Sequence, residues 1–569
     1  MISNEAIDTF GFGDGGGGPT IEYLEYLRRQ TKGIPGIPTA KVEFAGDFLK
    51  RLEDKIESNK KLLPKWNGEL YLEFHRGTYT SVAKNKKNNR KSEFLYLDAE
   101  LLGTIGKELL NKEFDKMSLR RGWEMILTNQ FHDIIPGSSI DEVYDQSDID
   151  YAWLQDIATK QIGAVKSEIA KKIDKNEGYV VFNPHSFTAD GLVKIDGKSA
   201  LVSGIAPKGY SCVKSFNSAN SVIVTAEGVE TNALKVKFDE FWQIISIYDK
   251  VNGRELLKDG AIGNELRVYQ DYPDVYDCWE WQAYSCDKYR TVTDFSAVDI
   301  VDDGARLGIK IVRPFMESEI AQTIWFYDDA LQIDFDTELD WHQHNQMLKC
   351  AFDVDINTDK ATYEIQFGTI ERPTHMNTSW DAAKFEVCAH KYADISEGGY
   401  GVSLINDCKY GHDIHDGLMQ LSLLKCGIHP SKRSDQGKHS FTYSICPHAG
   451  TLASSDTVQK SYLINYPMTA IKAEGEVSEL PVSYSLVSID KDNVICETVK
   501  EAEATLDTVI RLYETKNMRS IATLDLGFEA KKCYLCDLLE NELEELEIVD
   551  GKVSVDIKGF EIVTLKLKK

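Results

Sequence analysis

The sequence predicts a multidomain α+β protein, an antiparallel three-helix bundle followed by large all-β sandwich domains. Three observations predict it. The chain has 569 residues, more than one hydrophobic core organises, so roughly three or four domains are expected. Up to about residue 175, apolar residues recur at helical spacing. After Gly178, short β-rich runs alternate with Gly, Asp and Asn turns.

Taken in order, residues 21–31 and 42–56 read as amphipathic helices. Residues 94–110, 119–131 and 140–173 supply the bundle, and modest loops between them imply antiparallel neighbours. In the last run Val143, Trp153, Ile157, Ile162, Val165 and Ile169 keep one apolar stripe. Ser139 and Glu142 have the Ser-x-x-Glu spacing of a capping box at its start. Tyr179-Val180-Val181-Phe182-Asn183-Pro184 is a strand closed by a turn. Residues 221–225, 331–335, 348–354, 462–466 and 561–567 read as further strands. Phe10-Gly11-Phe12-Gly13-Asp14-Gly15-Gly16-Gly17-Gly18-Pro19 is a glycine-rich loop leading into the first helix. Such a loop lets backbone approach a ligand. It matches neither the Walker loop nor the dinucleotide fingerprint. No long strand precedes it, and it reads as the end of a domain whose beginning is absent.

The formal net charge is -26, which argues against nucleic acid or an anionic membrane as partner and leaves neutral ligands such as sugars open. Met1 to Glu5 lack the basic start and apolar run of a secretory signal, and no apolar run is long enough to cross a bilayer. The eleven cysteines are scattered, which suits a reducing cytoplasm. Cys533-Tyr534-Leu535-Cys536 reads as two packed thiols rather than a zinc site.

Four groups of residues invite a functional reading. In Asn129-Gln130-Phe131-His132-Asp133-Ile134-Ile135-Pro136-Gly137-Ser138-Ser139, a His-Asp pair sits on a short connection between two helices. There a histidine can ligate a metal and its carboxylate neighbour can orient it or hold a polar ligand; a local cap or surface pair is the alternative. His342-Gln343-His344 would place both rings on one face of a strand and reads as structural. His412 and His415, around Asp413 and before Asp416, read as a surface loop. Asp277, Trp279 and Trp281 could stack on sugar, with core burial the stronger reading.

Three segments, in order and spacing, resemble the class II α-mannosidases of glycoside hydrolase family 38, in their cytosolic and bacterial type. They are Gly11-Phe12-Gly13-Asp14 with its glycine run and Pro19, the stretch Gly68-Glu69-Leu70-Tyr71-Leu72-Glu73-Phe74-His75-Arg76-Gly77-Thr78-Tyr79-Thr80-Ser81, and Gln130-Phe131-His132-Asp133-Ile134-Ile135-Pro136-Gly137-Ser138. The β-rich half agrees at Ile370-Glu371-Arg372-Pro373-Thr374, Asn377-Thr378-Ser379-Trp380-Asp381, Lys384-Phe385-Glu386-Val387-Cys388-Ala389-His390 and Leu404-Ile405-Asn406-Asp407-Cys408-Lys409-Tyr410-Gly411.

The resemblance implies that residues 1–45 are the C-terminal remnant of a catalytic α/β barrel, 46–175 the bundle or middle domain, and 176–569 the β-sandwich domains. It implies hydrolysis of terminal α-mannosidic bonds in mannose-containing oligosaccharides with retention, which needs one carboxylate as nucleophile and one as acid/base. It also implies zinc, or another divalent metal, bound to sugar hydroxyls. By residue, it makes His132 a metal ligand and Asp133 a contact to sugar. His75 and Arg76 border the sugar pocket, Asp407 and Tyr410 reach it from the β half (with Lys409 beside them), and Asp14 is the candidate catalytic acid. The family's His-x-Asp pair and its nucleophile have no counterpart before Phe10. The expectation is therefore that this chain alone binds zinc weakly and turns over little substrate, in the cytoplasm, as a homo-oligomer or beside a barrel-bearing chain. The alternative is a non-catalytic carbohydrate-binding or assembly module.

Overall fold

The computed structural model describes residues 3–14, 16–225 and 227–569. Met1 and Ile2, and Gly15 of the glycine-rich loop, lie outside the described residues. The chain divides into two compact units, Met1–Tyr71 and Leu72–Lys569.

The first unit carries helices α1 (Ile21–Gln30) and α2 (Ala45–Glu57). Thr20 caps α1 by accepting from the Tyr23 amide at 3.2 Å, the role its hydroxyl favours at a helix start. Phe48 is the buried residue of α2. Among the described residues this unit holds no strand ladder, only an isolated bridge between Phe12 and Gly17 that closes the glycine-rich turn.

The second unit opens with the turn Arg76–Tyr79 and then the helices α3 (Ala83–Leu110), α4 (Lys116–Asn129) and α5 (Asp141–Lys171). Cross-contacts fix their sense. Asn85 meets Ser147, Tyr96 donates to the Leu154 carbonyl and Gly106 abuts Val165, so α3 and α5 run parallel. Gln130 reaches Glu93 while Phe114 packs on Gly103, so α4 runs against both.

Helix α3 begins at Ala83, eleven residues before the expected start at 94. Its first half, Ala83-Lys84-Asn85-Lys86-Lys87-Asn88-Asn89-Arg90, carries no apolar stripe. Instead Asn85, Lys86, Asn89 and Arg90 are buried and bonded across the interface. The capping box expected at Ser139 and Glu142 is also absent. Helix α5 starts at Asp141 with Ile140 at its N-cap. The Ser139 hydroxyl turns back to the Asp133 carbonyl at 2.7 Å.

Beyond Gly178 the expected β architecture is present as antiparallel sheets of four, eleven, nine, two, three and five strands among the described residues. The eleven- and nine-stranded sheets face one another through Phe352 and Phe335 and through Asn264 and Gln322. The expected strand runs fall on Ile223–Val224, Ile333–Trp341, Gln346–Asp353 and Ile562–Lys568. Residues 462–466 do not: they close helix α7 (Thr457–Asn465), which follows the four-residue α6 (Ser379–Ala382). In α7, Val458 and Tyr462, four residues apart, pack on one face against Ile405, Ile495 and Tyr513.

His412 and His415 lie in the strand Gly411–His415, not a surface loop, and His412 is fully buried. His342 and His344 lie past the end of Ile333–Trp341 rather than within it. Of the expected core cluster, Trp281 is completely buried while Asp277 and Trp279 are only partly so. The cysteines are free thiols, Cys533 and Cys536 both in Lys532–Cys536. One apolar core runs from Tyr96, Leu102 and Leu154 of the bundle to Ile510, Leu524, Val553 and Leu565 of the C-terminal sheets. The bundle and the last sandwich are thus one packed body.

Candidate functional site

Two of the expected segments are brought together. The first is the His75 turn. His75 adopts a left-handed conformation with φ 60°, costly for a residue with a Cβ, and Glu280 holds it there. The His75 amide donates to both Glu280 carboxylate oxygens at 3.2 Å, and its Nδ1 lies 2.7 Å from Glu280 Oε1. The Gly77 amide donates to the Trp279 carbonyl at 2.8 Å and the Ser81 hydroxyl to the Cys278 carbonyl at 2.6 Å. The turn is therefore stitched to residues 278–280, two hundred positions away, and the His75 ring stays half exposed.

Arg76 points the other way. Its guanidinium donates to the Ala383 carbonyl at 2.7 and 3.0 Å and to the Glu73 carbonyl at 2.5 Å, and it stacks 4.3 Å above the Phe385 ring. It joins the turn to the end of α6.

The second segment is the connection from Gln130 to Ile140. Gly137, at φ 89°, brings its Cα so close to Ser81 that an added Cβ would meet the Ser81 oxygen at 2.2 Å. Lys86 spans the junction, donating to the Ser81 carbonyl at 2.5 Å and the Ile135 carbonyl at 2.8 Å. Asn85 donates to the Ile134 carbonyl at 2.9 Å. Burial draws the Lys86 ammonium down to about 7, because its neighbours are carbonyl dipoles rather than a contacting carboxylate. On this scaffold the His132 ring is 80% exposed, tilted by 40° against the Phe131 ring at 4.2 Å and 3.6 Å from Asp133 Oδ2. The Ser138 hydroxyl donates to Asp133 Oδ1 at 3.2 Å. A rigid backbone thus presents an open imidazole beside a half-exposed carboxylate.

Asp407 and Tyr410 are brought to the other side of α3. Asp407 is 7% exposed, pairs with Lys91 at 3.1 Å and accepts the Thr442 amide at 3.1 Å. Burial pushes its carboxyl up, but Lys91 and the surrounding hydrogen bonds outweigh this and hold it below the usual range. The Tyr410 hydroxyl accepts from Arg90 at 2.9 Å, the Arg90 guanidinium lies 4.3 Å over its ring, and burial raises the phenol to about 12. Lys409 is buried between them and donates to the Leu423 carbonyl at 2.5 Å. Asp14 belongs to the first unit, where it is exposed on the turn closed by Phe12 and Gly17.

Sequence reasoning missed Glu280, Lys86 and Asp435. The last receives the Val82 and Ala83 amides at 2.8 and 2.7 Å and so caps α3 from 350 residues away. For Glu280 the acidic-aromatic run Asp277 to Trp281 was the signal. For Lys86 and Asp435 none existed, since Lys86 acts through the Ser81 and Ile135 carbonyls and Asp435 through the Val82 and Ala83 amides. Among the described residues, no three His, Cys, Asp or Glu side chains converge as a metal site would require. The donor set present, one imidazole and a neighbouring carboxylate, does not fit a complete tetrahedral zinc site.

Comparisons with known proteins bear on the same segments. The α-mannosidase middle domain matches residues 73–166, the C-terminal domain of glycosyl hydrolase family 38 matches 229–433, and the family's C-terminal β-sandwich domain matches 493–565. Alpha-mannosidase 2C1 of Homo sapiens is 31% identical over 593 residues, covering 99% of this chain and 56% of that protein. Alpha-mannosidase of Saccharomyces cerevisiae is 32% identical over 610 residues, covering 98% of this chain and 54% of that protein. The chain therefore spans just over half the length of these relatives. An α-mannosidase from Enterococcus faecalis V583 of known crystal structure shares the fold with a TM-score of 0.75 at 15% identity, over 97% of this chain and 75% of that one. The middle-domain match covers both the His75 turn and the His132 connection, the sandwich matches follow in the family's order, and the chain belongs to glycosyl hydrolase family 38.

Proposed function

We propose that this chain forms the bundle and sandwich portion of a retaining α-mannosidase acting on terminal α-mannosidic bonds of oligosaccharides. The observation that carries the reading is the His132–Asp133 pair, held open to solvent by Lys86, Asn85 and the Ser138–Ser139 hydroxyls. In this reading His132 supplies one imidazole to a zinc ion, and Asp133 accepts from a sugar hydroxyl. His75, fixed by Glu280, lines the same pocket. Arg76, Asp407 and Tyr410 brace the segments behind it, through the Ala383 carbonyl, Lys91 and Arg90.

Retention requires two carboxyl groups across the scissile bond. Residues 1–45 are proposed as barrel sequence, and Asp14 as the acid. Among the described residues no three His, Cys, Asp or Glu side chains converge at this pair, so no hydrolytic step is assigned. The exposure of Leu72, Phe74 and Phe131, each above half, favours completion of the site by further polypeptide, either another copy or a barrel-bearing chain, in the cytoplasm. The runner-up reading is a carbohydrate-binding module without catalysis.

The test is zinc titration and aryl α-mannoside hydrolysis with the purified 569-residue chain and its H132A variant. Weak zinc binding lost in H132A, with no turnover, is the expected result. Robust turnover by the chain alone overturns the incomplete-site reading, and unchanged zinc binding in H132A overturns the ligand assignment.

A further inference from the structure

Lys86 fastens the two segments of the candidate site to one another. Its Nζ donates to the Ser81 carbonyl, just past the His75 turn, at 2.5 Å and to the Ile135 carbonyl of the His132 connection at 2.8 Å. Gly137 closes the same junction against the Ser81 backbone, leaving no room for a Cβ.

Two donors of Lys86 are matched and a third is not. An ammonium carries three N–H donors; a neutral amine carries two and a lone pair. Two carbonyls accept from Nζ, and among the described residues no third acceptor and no carboxylate meets it. Lys349 and Lys425 are buried at least as deeply, and each contacts a carboxylate, Glu386 and Asp271. Lys86 is 4% exposed, so a third N–H would point into protein unpaired, together with an uncompensated charge. The junction fits the amine and not the ammonium. Burial accordingly draws Lys86 down to about 7.

The groups around it act in different senses. Asp435, at the start of α3, gives its oxygens to the Val82 and Ala83 amides, and burial pushes its carboxyl up. Burial also raises Glu93, which accepts from Gln130 at the head of the connection. Both carboxyls therefore favour the folded arrangement as pH falls. The Cys278 and Cys388 thiols are free. Tyr144 of α5 donates to the Ile134 carbonyl at 3.3 Å, and burial raises its phenol. Lys409 is drawn down by burial as Lys86 is, but it donates to the Leu423 carbonyl and not to either site segment.

We propose that Lys86 is a proton-operated clasp, which as the uncharged amine ties the His132 connection to the His75 turn and on taking up a proton releases it. The His132–Asp133 pair is then set in place above neutrality and loosened below it. This holds for the backbone of the site whatever ligand the site takes.

The size of the effect follows from the two states. In the closed junction Lys86 titrates at about 7, and once released into water it returns to its ordinary 10.5. From pH 8 to pH 6 the open state therefore gains about tenfold over the closed one, and the gain levels off below pH 6. Hydrogen exchange of the full chain, read by mass spectrometry over residues 134–140 at pH 8, 7 and 6 and divided by the intrinsic rate at each pH, tests the proposal. The expected result is an opening equilibrium about tenfold larger at pH 6 than at pH 8. In K86M, which leaves both carbonyls without a donor, and in K86R, which is charged throughout, opening is raised and is the same at each pH. Should either variant fail to fold, the parent and the other variant carry the decision. Opening in the parent that does not rise from pH 8 to pH 6, or a rise of the same size in K86M or K86R, overturns it.

Discussion

Gly137→Ala is the sharpest probe of how the His132 connection is held. Gly137 lies at φ 89°, where an alanine costs about 1–2 kcal/mol. Its Cβ would also stand 2.2 Å from the Ser81 oxygen and 2.5 Å from the Ser81 carbonyl carbon. These atoms are backbone, fixed by Lys86 and by the Ser81–Cys278 bond. Relief therefore requires the two site segments to part, an overpacking cost of about 1–3 kcal/mol. The expected total is about 3 kcal/mol. Gly163→Ala is the internal control, since Gly163 sits exposed within α5 with nothing near its Cβ and alanine there stabilises by roughly 0.5–1 kcal/mol. Chemical denaturation followed by circular dichroism gives the stability difference. Hydrogen exchange over residues 81–90 and 132–140 locates it. A G137A protein within about 0.5 kcal/mol of the parent, or one whose exchange rises elsewhere but not in those two segments, refutes the close-approach argument.

Other outcomes follow from the same geometry. Lys349 and Glu386 form a fully buried ion pair, so K349M alone should cost about 3–5 kcal/mol while K349M/E386L recovers much of it; equal urea midpoints for single and double variants would contradict this. Burial raises Glu100 to about 7 from 4.5, so the folded chain keeps a proton that the unfolded chain releases. The stability this group contributes is present at low pH and is lost as pH rises from about 4.5 through 7. E100Q should flatten that decline in melting temperature, and parallel curves would refute it. Glu280→Ala should free the His75 turn, seen as faster exchange of the His75 and Gly77 amides with little change in global melting. Unaltered exchange at His75 would show that the turn does not rely on Glu280.

Much of the fold was legible because apolar periodicity survives wherever an element buries carbon. The apolar runs in Tyr179–Asn183 and Gln346–Asp353 are of that kind. In α5 only Ile162, Val165 and Ile169 of the expected stripe are buried; Trp153 is exposed, and Tyr151, Leu154 and Ala158 face the core instead. Legibility failed where burial is polar. The first half of α3 looks like a solvated lysine-asparagine run, yet Asn85, Lys86 and Arg90 are inside because carbonyls and Tyr410 meet them there. Helix α7 was misread because Tyr462-Leu463-Ile464-Asn465-Tyr466 suits a strand, whereas its burial recurs every fourth residue at Val458 and Tyr462. Of the candidate site, the His75 segment was marked only by the family resemblance, and the local pattern at His132 was equally that of a cap or surface pair. Lys86 and Asp435 carried no mark, because what makes them matter is a bond to another segment, the Ile135 carbonyl for Lys86 and the start of α3, about 350 residues away, for Asp435.

The continuous core from the bundle to the last sheets carries a consequence for how this protein tolerates change. Helix α3 receives its starting cap from Asp435, its flank from Arg90 and Lys91 contacts to residues 407–410 and 465, and its far end from Val494–Glu501. It behaves as an axle threaded through parts that the chain lays down hundreds of residues apart. A lesion in the final strands would therefore loosen the His132 connection without touching it. Inherited or engineered changes near residue 510 should accordingly present as site defects, and a screen confined to the neighbourhood of His132 would overlook them.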